Sequence, residues 1–261
     1  MSIYDSYCAT GHAKDATPES LQANHEWYAM QFGPVLPKDR DIRVIDLGCG
    51  PGYFLSWLAA SGYHNAVGVD ESRVLLDMAA DRGISTVHDD IIHYLEVNSE
   101  QADVISLFHV LEHFSLEESQ YLLKLVSRRL KAGGLFLVAV PNVMAPFPVS
   151  AYGDISHRLY FSWQSLRQLL VSAEFSNVRY LPLRSLVERR LRGRVHHVLR
   201  AVYLNAYRLL DGLVNGFAEI DQRPLDMHLL AACGQRDFAS SHDDEVGVTV
   251  SRHQDAKPVR G

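Results

Sequence analysis

The chain has three cysteines, Cys8, Cys49 and Cys233, too few and too scattered for a disulfide framework or a zinc site. That scarcity implies a reducing compartment, so the cytoplasm is the expected location. Net charge is −6, which excludes a surface built wholly for nucleic acid. No run approaches the roughly 18 uncharged apolar residues of a membrane-spanning helix. The opening residues Met1-Ser-Ile-Tyr-Asp carry neither a basic region nor an apolar one, so no secretion leader is expected. What is present is 47% hydrophobic content over 261 residues, enough for one domain with a full core plus an insertion or tail.

The most informative segment is Val44-Ile-Asp-Leu-Gly-Cys-Gly-Pro-Gly, followed by Tyr53-Phe-Leu-Ser-Trp-Leu. An apolar strand ends on Asp46, glycines at every second position make a loop, and a helix opens behind it. Glycine lets the backbone turn tightly and approach a ligand, and the helix start offers free N–H groups. A dinucleotide fingerprint needs Gly-x-Gly-x-x-Gly, but counting from Gly48 the third glycine position is Tyr53. Cys49 reads as a small residue lining the loop, not as a reactive thiol.

Short apolar runs alternate with helical ones along the rest of the chain. Strands are expected at 42–47, 66–70, 84–88, 103–108, 135–140, 177–181 and 225–233, with helices at 53–61, 74–82, 116–130 and 162–173. The predicted fold class is α/β, a Rossmann-like doubly wound sheet of seven mostly parallel strands, with a helical insertion before the last strand. Ligands bind beyond the carboxyl ends of such strands. Asp46, Asp70, Asp90 and Phe108-His109 all fall there. Thr17-Pro18 marks a helix start. The expected units are an N-terminal helical lid (1–40), a core (41–183), an insertion (184–224), the last strand (225–238) and a loose polar tail (239–261). The first of these also reads as a helix packed on the sheet.

The insertion is unusual. Between residues 184 and 208 stand seven arginines and a single acid, Glu188, with apolar residues at helical spacing. One reading is a basic amphipathic helix on an anionic membrane, giving peripheral contact at the inner face, or facing a phosphate-bearing substrate. The other is a cap over the substrate or a homodimer contact.

The Asp-x-Gly-x-Gly-x-Gly loop resembles motif I of class I S-adenosylmethionine-dependent methyltransferases. The resemblance extends to Leu107-Phe-His-Val-Leu-Glu-His after strand four and to Leu130-Lys-Ala-Gly-Gly before strand five. Asp154-Ile-Ser-His with Phe161-Ser-Trp-Gln-Ser-Leu-Arg is similar to a subset found with polysaccharide biosynthesis. The resemblance implies that Asp46 accepts from the donor's α-amino group and that Gly48, Cys49, Gly50, Gly52 and Tyr53 line its tail and ribose. It implies that Asp70 meets both ribose hydroxyls, with Glu71 beside it among the donor-binding residues. Asp90, with Asp89 as the alternative register, meets the adenine, with Ile91 and Phe108 packing nearby. S-adenosylmethionine is therefore the expected cofactor.

No Asn/Asp-Pro-Pro-Tyr follows strand four and no cysteine sits in that loop, so no nucleic-acid substrate is expected. A small-molecule or glycan acceptor with a hydroxyl group is expected instead. His109 and His157 are the candidate bases for its proton, against the plainer readings of cleft lining and loop bracing. Quinone O-methyltransferases are similar around Glu112-His113, where Glu-x-x-Glu-His holds a divalent cation. Here His109 replaces the first carboxylate, hard cations prefer oxygen ligands, and no metal is assigned. Two further readings stay open: methylation of a diffusible phenol or carboxylate, and a non-catalytic donor-binding module that regulates a partner.

Overall fold

The computed structural model describes residues 17–183, 191–215 and 228–235. The expectations for 1–16, 184–190, 216–227 and 236–261 lie outside the described residues. In chain order the elements are α1 (Pro18–Phe32), β1 (Val44–Leu47), α2 (Tyr53–Ala60), β2 (Ala66–Asp70), α3 (Arg73–Ala80), β3 (Thr86–His88), α4 (Ile91–Val97) and β4 (Ala102–Phe108). A single 3₁₀ turn, Leu111–His113, leads to α5 (Leu116–Arg129), β5 (Leu130–Pro141) and the one-turn α6 (Val149–Tyr152). Then come α7 (Trp163–Ser172), β6 (Phe175–Leu181), α8 (Leu191–Asn215) and β7 (His228–Gln235).

The strands form one seven-stranded sheet in the order β3-β2-β1-β4-β5-β7-β6. β7 runs antiparallel between β5 and β6, and the pairings among β1 to β5 are parallel. The chain reverses its direction of winding at β1 and β4. That crevice is where an open α/β sheet takes its ligand.

Strand residues alternate between two cores. Val44, Val104 and Leu137 pack on one face with Phe54, Trp57 and Phe32. Ile45, Ile105 and Val138 pack on the other with Leu122, Val126 and Leu170. A side-chain period of two with both faces covered explains why these strands read as unbroken apolar runs. The helices start on the expected signals. Thr17 Oγ1 accepts from Ser20 N with Pro18 following, and Ser115 and Ser162 each close a capping box.

α1 packs on α2 through rings. Tyr28 lies 5.9 Å from Trp57 in a stacked pair, and Phe32 stacks on Phe108 at 5.0 Å. It forms an outer layer on the sheet, and none of its residues is among those that line the site cavity.

Gly68, in the middle of β2, has no room for a side chain. A Cβ there would stand 2.5 Å from Cys49 Sγ and 2.6 Å from Leu55 Cδ1. Gly68→Ala is therefore expected to cost about 1–3 kcal/mol of stability by overpacking. Urea unfolding checks this, and an unchanged midpoint would mean that the loop yields freely.

Candidate active site

The glycine loop is a run of left-handed residues. Gly48, Gly50 and Gly52 have φ of 70°, 51° and 75°, a region that costs other L-residues strain. Space matters as well as φ, because a Cβ on Gly48 would overlap Val110 Cγ2. At Gly50 the nearest such neighbour is Leu75 Cδ1, 3.9 Å away, on the open side where a ligand can approach. Gly48 N and Cys49 N both donate to Val69 O, tying the loop to β2.

Asp70 holds the loop in shape. Its Oδ2 accepts from Gly50 N and its Oδ1 from Ser72 N, each at 2.8 Å. Burial raises its pKa, and those two N–H donors pull it back toward the ionised form. A carboxylate has about four lone-pair sites, so acceptor capacity remains for hydroxyl groups.

Asp46 is buried within β1, two residues ahead of Gly48. It is paired in register with Ser106 of β4, whose Oγ donates to Asp46 Oδ1 at 2.7 Å. Burial pushes its carboxyl up to about 7, the Ser106 hydroxyl opposes that, and Asp70 adds to it. A buried acid in this state favours a cationic neighbour, because a positive charge returns it to the ionised form.

Asp90 caps α4, accepting at Oδ1 from Ile92 N and His93 N at 2.9 Å. Asp89 instead pairs with His93, at 2.9 Å. Of the two neighbours, Asp90 is the one that lines the cavity.

That cavity has a volume of about 340 Å³. Gly48, Gly50, Asp70, Glu71, Asp90, Ile91 and His109 all line it, so the crevice brings together seven of the residues singled out in the sequence. The others stand off it, Asp46 and His157 among them. Cys49 is buried against Gly68, and burial pushes its thiol pKa far up. Gly52 caps α2, and Tyr53 lies under the Arg82 guanidinium, 5.2 Å from the ring centroid. Phe108 turns its ring into the cluster with Phe32 and Phe54.

His109 is the exposed group at the mouth of β4. It has a positive φ of 57°, and its N–H is tied to Ala139 O. Its side chain is 46% exposed, and Nδ1 is 3.5 Å from Glu112 Oε1. Glu174 and Asn177 share this left-handed conformation away from the cavity, so the φ of His109 fixes its side-chain direction without by itself marking a site.

Glu112 is 1% exposed, and neither carboxylate oxygen has a hydrogen-bond partner. His157 Nε2 is 4.0 Å from the same Oε1. His157 does not reach the mouth, because its Nδ1 is held by Ala151 O at 2.8 Å and the ring packs behind, on His113. His113 Nδ1 in turn meets Ser156 Oγ at 2.9 Å, and burial lowers the pKa of this histidine. Glu112, His113 and His157 bring one ligand atom each within 4.8 Å of one another. That set is richer in nitrogen than hard cations prefer. The backbone of Glu112 also anchors the long loop after β5, since its O accepts from Arg158 N and Leu159 N.

Several residues escaped the sequence reading. Ser106 had a signal, as a lone hydroxyl inside an apolar strand. Glu118 and Arg158, paired at 2.7 Å on the cavity wall, come from segments 40 residues apart and had none.

A doubly wound sheet, a left-handed glycine loop and an acid at each of three strand ends define a methyltransferase site of the Rossmann type. The methyltransferase-domain family matches residues 24–180, more than half of the chain, and the chain belongs to it. It is a methyl-transferring enzyme whose donor is S-adenosylmethionine. The residues fit that donor: buried Asp46 suits its cationic end, and Gly50 leaves open the space that a Cβ would take.

Solved structures agree on the fold. An S-adenosylmethionine-dependent methyltransferase from Archaeoglobus fulgidus superposes with a TM-score of 0.60 at 19% identity, covering 89% of this chain and all of that one. A magnesium protoporphyrin IX methyltransferase from Synechocystis gives 0.52 at 12% identity, covering 90% and 95%. A phosphoethanolamine N-methyltransferase from Haemonchus contortus gives 0.56 at 18% identity, covering 90% of this chain and 57% of that one. No curated protein matches the chain.

Proposed function

We propose that the chain O-methylates a hydroxyl of a sugar or glycan precursor in the cytoplasm. The observation that carries this reading is His109, open to the cavity and 3.5 Å from a buried Glu112 carboxylate that has no hydrogen-bond partner. Methylating a hydroxyl releases its proton, and a base at the reacting oxygen speeds that step. The rest of the outer wall, His113, Glu118 and Arg158, is polar and suits an acceptor rich in hydroxyls.

When bound, the donor supplies a methyl group on a positively charged sulfur. The chain's own residues do the remaining work. Asp46, Asp70 and Asp90 fix the ammonium, ribose and adenine ends, so that the methyl group is directed toward β4. His109 accepts the acceptor's proton at Nε2, and the Glu112 carboxylate beside Nδ1 steadies the resulting imidazolium. His157 and Ser156, with His113, keep Glu112 and its turn in place.

His109→Ala is expected to lower kcat by about 10²-fold while donor affinity stays the same. Methyl-transfer assays alongside calorimetry check this, and unchanged turnover would remove the base role. A screen with radiolabelled methyl donor against cell extracts and sugar precursors identifies the acceptor. Label in a glycan fraction supports the reading, and label confined to phenols or carboxylates overturns it. Val110 and Phe114, the apolar part of the wall, favour that second acceptor class.

A further inference from the structure

α8 wears its apolar face outward. Val198, Leu199, Val202, Leu209, Leu213 and Val214 are between 55% and 80% exposed. At 100° per residue they fall within roughly 160° of the helix circumference. The better covered positions, Leu204, Tyr207, Asp211 and Gly212, lie on the opposite side, where Ala201, Asn205 and Arg208 are exposed as well. An ordinary surface helix does the reverse.

A second apolar group adjoins it. Phe147, Val149, Tyr152 and Ile155, in the segment after β5, are 63% to 93% exposed. Phe147 stacks on Tyr203 of α8, with centroids 6.0 Å apart and an interplanar angle of 15°. The same segment runs on to Arg158 at the cavity. The two apolar groups thus meet at that ring pair, on the segment that leads to the cavity wall.

We propose that α8 and residues 147–155 form one docking face for an acidic phospholipid bilayer, which presents the acceptor to the mouth on a membrane-borne carrier. The identity of that occupant rests on charge. α8 contains Arg192, Arg194, Arg200 and Arg208 against the single acid Asp211, in a chain of net charge −6. An apolar stripe with a cationic balance suits an anionic interface. Among the described residues no helix is long and apolar enough to cross a membrane, so the face would lie on the surface. A second copy fits worse, because a two-fold contact would set one arginine-rich helix against its own kind.

The acceptor part of this inference rests on the glycan reading above, whereas the docking part does not. The test is co-sedimentation of the full chain with neutral phosphatidylcholine vesicles and with vesicles containing phosphatidylglycerol. Expected is retention on the anionic vesicles at low salt, release at high salt, and little binding to neutral ones. The double variant Val202→Asp, Leu209→Asp should bind anionic vesicles at least tenfold more weakly, while calorimetry shows donor affinity unchanged. Equal retention of variant and parent, or no retention of the parent, overturns the docking face. So does a parent that sediments as a dimer, ignores vesicles and becomes monomeric in the variant. Vesicle binding requires no acceptor, so a glycan reading that fails in the methyl screen leaves this result standing, and the converse holds too.

Discussion

Asp70→Ala is expected to weaken binding of S-adenosylhomocysteine by at least tenfold, a loss of about 1.5 kcal/mol or more. Two effects combine in that figure. The carboxylate accepts from Gly50 N and Ser72 N, so it fixes the loop that faces the ligand. It also lines the cavity with acceptor capacity to spare, and a bond from a ligand hydroxyl to an ionised acceptor is among the stronger kinds. Asp70→Asn keeps one oxygen acceptor and should fall between parent and alanine. Calorimetry on all three proteins reads the order directly. Normal affinity in Asp70→Ala would detach this residue from the donor.

The second large effect is one of pH. Burial holds the Asp46 carboxyl at about 7, against an ordinary value of 3.8. Between those values the native protein keeps a proton that the unfolded chain has lost, so this group lowers stability as pH rises through that window. A bound ammonium group favours the carboxylate and reverses the effect. Donor binding at pH 6 should therefore release close to one proton, and at pH 8.5 almost none. Affinity should climb by up to about tenfold per pH unit below 7 and level off above it. Asp46→Asn should flatten the profile and bind weakly throughout. Calorimetry in buffers of different ionisation heat counts the protons. A pH-independent affinity in the parent protein would mean that Asp46 faces no cationic group.

Much of this architecture can be read from the chain, because parallel strands covered on both faces leave continuous apolar runs. β2 falls at 66–70 as expected, and β4 begins one residue early, at Ala102. The acid at each strand end is equally legible, since a carboxylate there interrupts an apolar run. α4 is less so. Its residues, Ile91-Ile-His-Tyr-Leu-Glu-Val, are partly β-branched and read poorly as helix, and Asp90 looks like a strand terminus although it also caps the helix. β5 starts at Leu130, ahead of its expected start at 135, because Ala102 pairs with Leu130 across an irregularity in the ladder. Lys131–Gly134, which the sequence places ahead of the strand, is drawn into it.

The acceptor side was the hardest part to foresee. Glu112 sits in a charged-looking Leu-Glu-His triplet, yet the 3₁₀ turn rotates it into the core. His157 reaches it only through the long segment after β5, a contact across 45 positions that no local pattern encodes. For α8, the periodicity revealed a stripe but not which side the body would cover.

A crystal structure of the full chain with S-adenosylhomocysteine probes the donor cradle most directly. The nucleoside should fill the crevice beside Gly50, with the ribose oxygens in hydrogen-bond range of Asp70, the amino group beside Asp46 and the adenine edge at Asp90. A ligand lodged elsewhere, or one whose ribose turns away from Asp70, would contradict the account.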